Sequence, residues 1–294
     1  MHEPIFRAED GDLRLEIFYD MDGPNPRKDH DGWLGRMLCW HGRYNLGDEQ
    51  PQEDPQEALI EIAQEAGSLP DWMDYLDEHL EEETEKYEDK KDPNSLCWTS
   101  AEEQAVSALA GVYEAKVKAA LDEKVAMLPL FLYDHSGITM STGPFHCPWD
   151  SGQVGFIYMT YEKFFDETSA AGALSQIKHS QRVGGRQVRM TDDAEKELLE
   201  KLEAAFANRE VTPEVVRGAE ASLKLEVETY DEYLRGKCYG YVLSKVLTCD
   251  HGHEHEEELD SCWGFLGDDF ETNGVLDNLG GEYVNLVKDL ELVY

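Results

Sequence analysis

KCYGYVLSKVL, Lys237–Leu247, and LDSCWGFLGD, Leu259–Asp268, stand on either side of a short polar stretch near the C-terminal end. The first run is rich in β-branched and aromatic residues, the second carries Trp263 and Phe265, and polar residues separate them, which is the pattern of an antiparallel β-hairpin. Working outward, LRLEIFYD, Leu13–Asp20, alternates well enough for a strand. GPNPRKDHDG then supplies turn residues, after which Leu34–Trp40 reads as a second strand pairing back on the first. MLPLFLYD, Met127–Asp134, reads as a buried strand and Val154–Met159 as another, with Gly137, Gly143, Gly152 and Gly155 at turns or close approaches. Helical periodicity follows PQEDP, with Leu59, Ile60 and Ala63 on one face, and returns over Thr191–Asn208 and Thr212–Leu234. Thr212 is a cap and Pro213 takes the first helical position, a good start signal. Strands and helices do not alternate regularly. The expected fold is α+β, a mostly antiparallel sheet with packed helices and an acidic helical insertion.

The insertion begins with DWMDYLDEHLEEETEKYEDKKD, Asp71–Asp92, where eleven acidic residues face three basic ones. Trp72, Tyr75, Leu76 and Leu80 recur at helical spacing, so one face is apolar and the other densely anionic. Past the DPN break, Thr99 or Ser100 can cap a second helix reaching about Lys124, with Val106, Leu109, Val112, Val117 and Leu121 as its apolar residues. The chain then divides into residues 1–68, a sheet-forming part, 69–126, the insertion, and 127–294, an α+β core closed by the hairpin. No linker marks either boundary.

Composition narrows the function. The 294 residues carry 63 Asp+Glu against 26 Lys+Arg, a formal net charge of -37, yet 41% are hydrophobic and 10% aromatic, enough for a core. Binding nucleic acid directly through a basic face is excluded by that balance. An anionic membrane surface would repel the chain, and no run of 18 apolar residues crosses a bilayer. The N-terminal stretch has no basic region followed by an apolar run, so no secretory signal is expected. The six cysteines form no CxxC pair and are read as reduced thiols of a cytosolic protein. Three accounts fit the acidity: imitation of the phosphate array of DNA, salt adaptation, or simple solubility.

Several clusters are candidates for chemistry. Cys249, Asp250, His251, His253, Glu254 and His255 are zinc-compatible ligand types, and alternation places the three histidines on one strand face. The same stretch sits at a hairpin tip, where a solvated polar loop is the plainer account, and no metal or other cofactor is assigned. Cys39-Trp40-His41 and His146-Cys147 are further Cys/His pairs, equally suited to buried structural thiols. The best enzyme candidate is Asp134-His135-Ser136 with Cys147 and Asp150: His135 can deprotonate Cys147 or Ser136 while Asp134 or Asp150 orients the imidazole. No G-x-S-x-G, P-loop, H-E-x-x-H or G-x-G-x-x-G motif accompanies it. IKHSQRVGGRQVR is a basic run holding Lys178, Arg182, Arg186 and Arg189. It reads as a surface loop offsetting local acidity, or as an association site for an acidic face on another copy or on a partner.

Three blocks, NPRKDHDGWLGRMLCWHGRYNLGD, YDHSGITMSTGPFHCPWDSGQVGFIY and VETYDEYLRGKCYGYVL with DSCWGF, resemble a family of acidic proteins carried by bacterial viruses, plasmids and integrative elements. The resemblance spans the sheet-forming parts, and the acidic region looks like a variable insertion. Such an origin implies an accessory gene acting in the cytoplasm of an infected bacterium. In length and acidity the chain is similar to viral inhibitors of the Gabija defence system, which surround a nuclease complex and block its access to DNA. The resemblance implies a non-enzymatic anti-defence protein, homo-oligomeric, whose partner is a host defence nuclease complex. It assigns no residue roles. The residues themselves nominate Asp74, Asp77, Glu78, Glu81, Glu82 and Glu85 on the acidic helix, together with the basic run, as the partner-binding groups. The alternative is a Cys/His-dependent or zinc-dependent hydrolase of a mobile element.

Overall fold

The computed structural model describes residues 3–67, 69–88, 100–183, 186–187, 189–248, 251 and 253–293. In chain order the first elements are β1 (Phe6–Asp10), β2 (Leu13–Tyr19), β3 (Arg36–Cys39), α1 (Pro55–Gly67), α2 (Trp72–Glu88), α3 (Ala101–Lys124), β4 (Val125–Asp134), β5 (Ile138–Ser141) and β6 (Ser151–Thr160). They are followed by α4 (Tyr161–Glu167), α5 (Ala170–Ser180), β7 (Arg182–Val183), β8 (Arg186–Gln187), α6 (Asp192–Asn208) and α7 (Pro213–Leu234). The chain closes with β9 (Cys238–Thr248), β10 (Glu254–Leu266), α8 (Val275–Leu279), α9 (Val284–Lys288) and β11 (Glu291–Leu292). The fold is α+β, as its sequence pattern requires. No helix among the described residues is long and apolar enough to cross a membrane.

Two compact units are present, one built from residues 1–33, 130–153 and 225–294 and the other from 34–129 and 154–224. The first contains a five-stranded sheet in the order β10-β9-β2-β1-β11, whose pairings are antiparallel. β1 and β2 form a hairpin across Gly11-Asp12, with Gly11 at φ 64 in the first central position, where a type II′ turn demands it. The expected C-terminal hairpin is present as β9 and β10, and register shifts interrupt it between Glu258 and Asp260 and between Trp263 and Phe265. Leu15, Ile17, Tyr241 and Leu243 alternate onto the face that α8 and α9 cover with Val275, Leu279, Leu286 and Val287. The Tyr241 hydroxyl donates to Asp260 Oδ2 at 2.6 Å and lies 2.6 Å from the Asn278 side-chain amide.

β3 forms, but it does not pair back on β2. Its partner is β6, with Leu38 opposite Phe156, in a second sheet ordered β3-β6-β4-β5. β2 already has both edges filled, by β1 and β9, which leaves β3 no place beside it.

In the second unit, Leu38, Ala58, Ile62, Val125, Phe156 and Tyr158 make one apolar cluster. Ala63, Tyr75, Leu109, Tyr113 and Val117 make another, where α1, α2 and α3 meet. Of the two cap candidates for α3, Ser100 serves: its side chain accepts from Glu103 N, and the Glu103 side chain accepts from Ser100 N. Thr99 lies outside the described residues. The buried row of α3 repeats every fourth residue, through Ala101, Ala105, Leu109, Tyr113 and Val117. Val112 falls off that row and is exposed, contrary to its expected place on the apolar face.

Candidate functional site

Asp71 starts α2 by accepting from Met73 N at 2.7 Å through its side chain and from Tyr75 N at 2.9 Å through its carbonyl. Tyr75 is the helix's buried anchor. Its ring lies 5.3 Å from that of Tyr113 on α3, Trp72 meets the same tyrosine edge-on at 5.3 Å, and His79 stacks on Tyr75 at 4.3 Å. Aromatic packing of this kind fixes the rotation of α2 about its axis. The opposite face is therefore committed to solvent, and Asp74, Asp77, Glu78, Glu81, Glu82 and Glu85 are all exposed on it.

At 1.5 Å per residue the six carboxylates span about 16 Å of helix, close to one charge per 3 Å. One strand of DNA carries one per ~3.4 Å. Five of the six have no lysine or arginine ion partner among the described residues. Glu82 is the exception: Lys86 Nζ lies 3.1 Å from it and 2.9 Å from Glu83, and these two carboxylates hold the ammonium above its ordinary pKa.

Asp77, Glu81, Glu85 and Glu88 join Glu102 of α3 around Leu80 and Thr84, lining a depression of about 480 Å³ with no basic residue among its described lining residues. Leu80 and Thr84 give it a partly apolar floor. Such a depression suits the stem and head of a lysine or arginine side chain, whose methylenes cover apolar surface while the cation meets carboxylates.

The basic run is less available than its sequence suggests. Lys178, at the end of α5, is engaged by Glu195 of α6 at 2.7 Å. Arg182 and Arg186 belong to a two-stranded hairpin, β7 with β8, rather than to an irregular loop. Their side chains lie outside what is described. Arg189 is exposed.

His135, Cys147 and Asp150 do come together. His135 Nδ1 lies 3.3 Å from Asp150 Oδ2, and Cys147 Sγ lies 3.7 Å from the same oxygen. Asp134 N donates to Asp150 O at 2.8 Å, and Ser136, at φ 62, turns the chain from β4 into β5. The carboxylate thus stands between imidazole and thiol, whereas a cysteine nucleophile needs the imidazole against sulfur and cationic surroundings to favour thiolate. Beside this cluster Trp149 is 92% exposed.

The other Cys/His candidates divide. Cys39 is fully buried, and His41 Nδ1 accepts from Arg43 N and Tyr44 N at 3.3 and 3.1 Å, which makes it a turn-forming group. His251, His253 and His255 are exposed, while Cys249 and Asp250 lie outside the described residues. Among the described residues no three His, Cys, Asp or Glu side chains are grouped to hold a metal ion. No family model, no curated protein and no solved structure matches the chain.

Proposed function

We propose that the protein acts by binding. In this reading it is a virus-encoded inhibitor whose α2 face occupies the DNA-contacting surface of a host defence complex, such as Gabija, and keeps DNA away. The observation that carries this reading is the rigid row of exposed carboxylates on α2, spaced like the phosphates of a single DNA strand. Lysines and arginines that normally meet phosphate would meet Asp77, Glu81 and Glu85 instead. Counterion release makes such binding fall steeply with salt.

The test is viral plating efficiency on bacteria carrying Gabija or a restriction system, with and without this gene, alongside the variant Asp77→Lys, Glu81→Lys, Glu85→Lys. Rescue by the natural protein and its loss in the charge-reversed variant support the reading. Equal rescue by both removes the acidic face from the mechanism. A hydrolase reading retains one observation in its favour, the convergence of His135 and Cys147 on Asp150. In that case Cys147→Ser abolishes function and charge reversal on α2 leaves it intact.

A further inference from the structure

A cavity of about 720 Å³ opens within the second unit, walled by residues of α1, α3, α4, α7 and the first residues of β4. Its walls are mainly apolar, with Leu59 from α1, Leu121 from α3 and Val216 from α7. This is the size and character of a small-molecule site. The polar groups are few. Tyr161 lines the cavity and is only 5% exposed as a residue. Its hydroxyl makes no hydrogen bond within the protein among the described residues and is open to solvent in the cavity, where a ligand can take the place of water. Asp122 and Glu220 line the same cavity. Glu114 and Lys118 also line it, one charge of each sign.

We propose that this cavity binds a small organic cation, a primary amine carried on an apolar body. An ammonium has three N–H donors and no acceptor. The site offers three acceptors for them: the Asp122 carboxylate, the Glu220 carboxylate and the Tyr161 oxygen. The apolar walls reject a bare metal ion, and the two carboxylates reject an organic anion. Burial raises the Tyr161 phenol pKa, and Glu220 and Asp122 raise it further, so the hydroxyl stays neutral at neutral pH. This inference is independent of the proposed inhibitory role, since the cavity residues are not those of the acidic face.

Three isosteric probes separate the possibilities: 4-phenylbutylamine, 4-phenylbutanol and 4-phenylbutyrate, titrated calorimetrically into the full chain at physiological salt. The amine is expected to bind at least tenfold more tightly than the alcohol, with no measurable binding of the carboxylate. Asp122→Asn with Glu220→Gln should weaken the amine tenfold or more, and Tyr161→Phe severalfold. Val216→Trp, which fills the chamber and keeps every charge, should abolish binding; Leu59→Trp fills it from another wall if Val216→Trp does not fold. The proposal is overturned if the amine fails to bind at millimolar concentration or does not outbind its isosteres. Amine binding that persists in a folded cavity-filling variant also overturns it, because the strongly negative surface then suffices.

Discussion

The indole of Trp263 covers the backbone of Gly240, its direct cross-strand partner: a Cβ built at Gly240 would lie 2.1 Å from the ring. Phe18 is the partner of Gly240 on the other side, and its ring centroid lies 6.1 Å from that of Trp263. The glycine is therefore the gap through which two aromatics on the strands flanking β9, β10 and β2, meet over it. Gly240→Ala should destabilise by about 1–3 kcal/mol through overpacking. The same change combined with Trp263→Ala should recover much of that loss, and thermal melts of the three variants check both statements.

Arg27 and Glu226 form a buried ion pair, Nη1 to Oε2 at 2.9 Å, with side-chain exposures of 1% and 8%. Arg27 also lies 5.2 Å over the ring of Trp33. Arg27→Met should cost roughly 3–5 kcal/mol, because it leaves a buried carboxylate without its cation. Arg27→Met with Glu226→Met should be far closer to the natural protein in chemical denaturation. Equal losses in the single and double variants would show that the cation–π packing, rather than the charge, sets the cost.

Alkaline pH should loosen the first unit before the protein reaches its phenol range. Burial, reinforced by Asp20, pushes the Cys238 thiol up to about 11, and burial with Tyr19 pushes the Tyr239 phenol up to about 12. Tyr241 is raised as well, by burial and Asp260. An unfolded chain loses the thiol proton near pH ~8.5 while the native state keeps it, so the native state binds more protons in between. The stabilisation is complete below pH ~8.5 and is lost as pH rises through 11. For Cys238 alone the full change is roughly 3 kcal/mol. Denaturant midpoints at pH 8 and 10.5 should differ accordingly, and Cys238→Ala should flatten the slope.

The acidic face should work against the stability of its own helix. Asp77, Glu81 and Glu85 repeat at i,i+4, and like charges at that spacing destabilise by ~0.2–0.5 kcal/mol per pair. Glu81→Gln relieves two such pairs, so it should stabilise by about 0.5–1 kcal/mol in low salt. The gain should vanish near 1 M salt, where screening reaches about 3 Å. The same substitution should weaken partner binding, which makes the face costly to the fold and useful only in a complex. Melting curves across a salt series settle the first half.

Local signals are legible in the sequence. LRLEIFYD, the C-terminal hairpin, the capping Ser100 and the start of α7 at Thr212-Pro213 follow from alternation, cap chemistry and fixed proline geometry, all of which act within a few residues. Pairings over long separations were not legible. The partner of β3 is set by which edges are already filled, and β1, β5 and β11 are strands too short to show a period of their own. α4 and α5 also went unread, although Thr160 and Ser169 cap them in ordinary fashion. At the candidate site, the six α2 carboxylates could be placed because Trp72, Tyr75 and Leu80 fixed the opposite face. Lys178 could not, since nothing near it in the chain reveals that Glu195 engages it. Asp150 was named as an orienting group, but only three dimensions show that it stands between His135 and Cys147.

β2 is the middle strand of its sheet, and its two neighbours come from opposite ends of the chain: β1 precedes it directly, while β9 lies beyond every other strand except β10 and β11. During synthesis the β1–β2 hairpin leaves the ribosome with one edge open and waits for most of the chain to be translated. High contact order of this kind slows folding and leaves an unpaired edge available for wrong partners. Residues 34–129 and 154–224, by contrast, are all made before β9 emerges. The acidic helices can therefore form early and, by their charge, keep the nascent chain from sticking to its neighbours while the sheet is still incomplete.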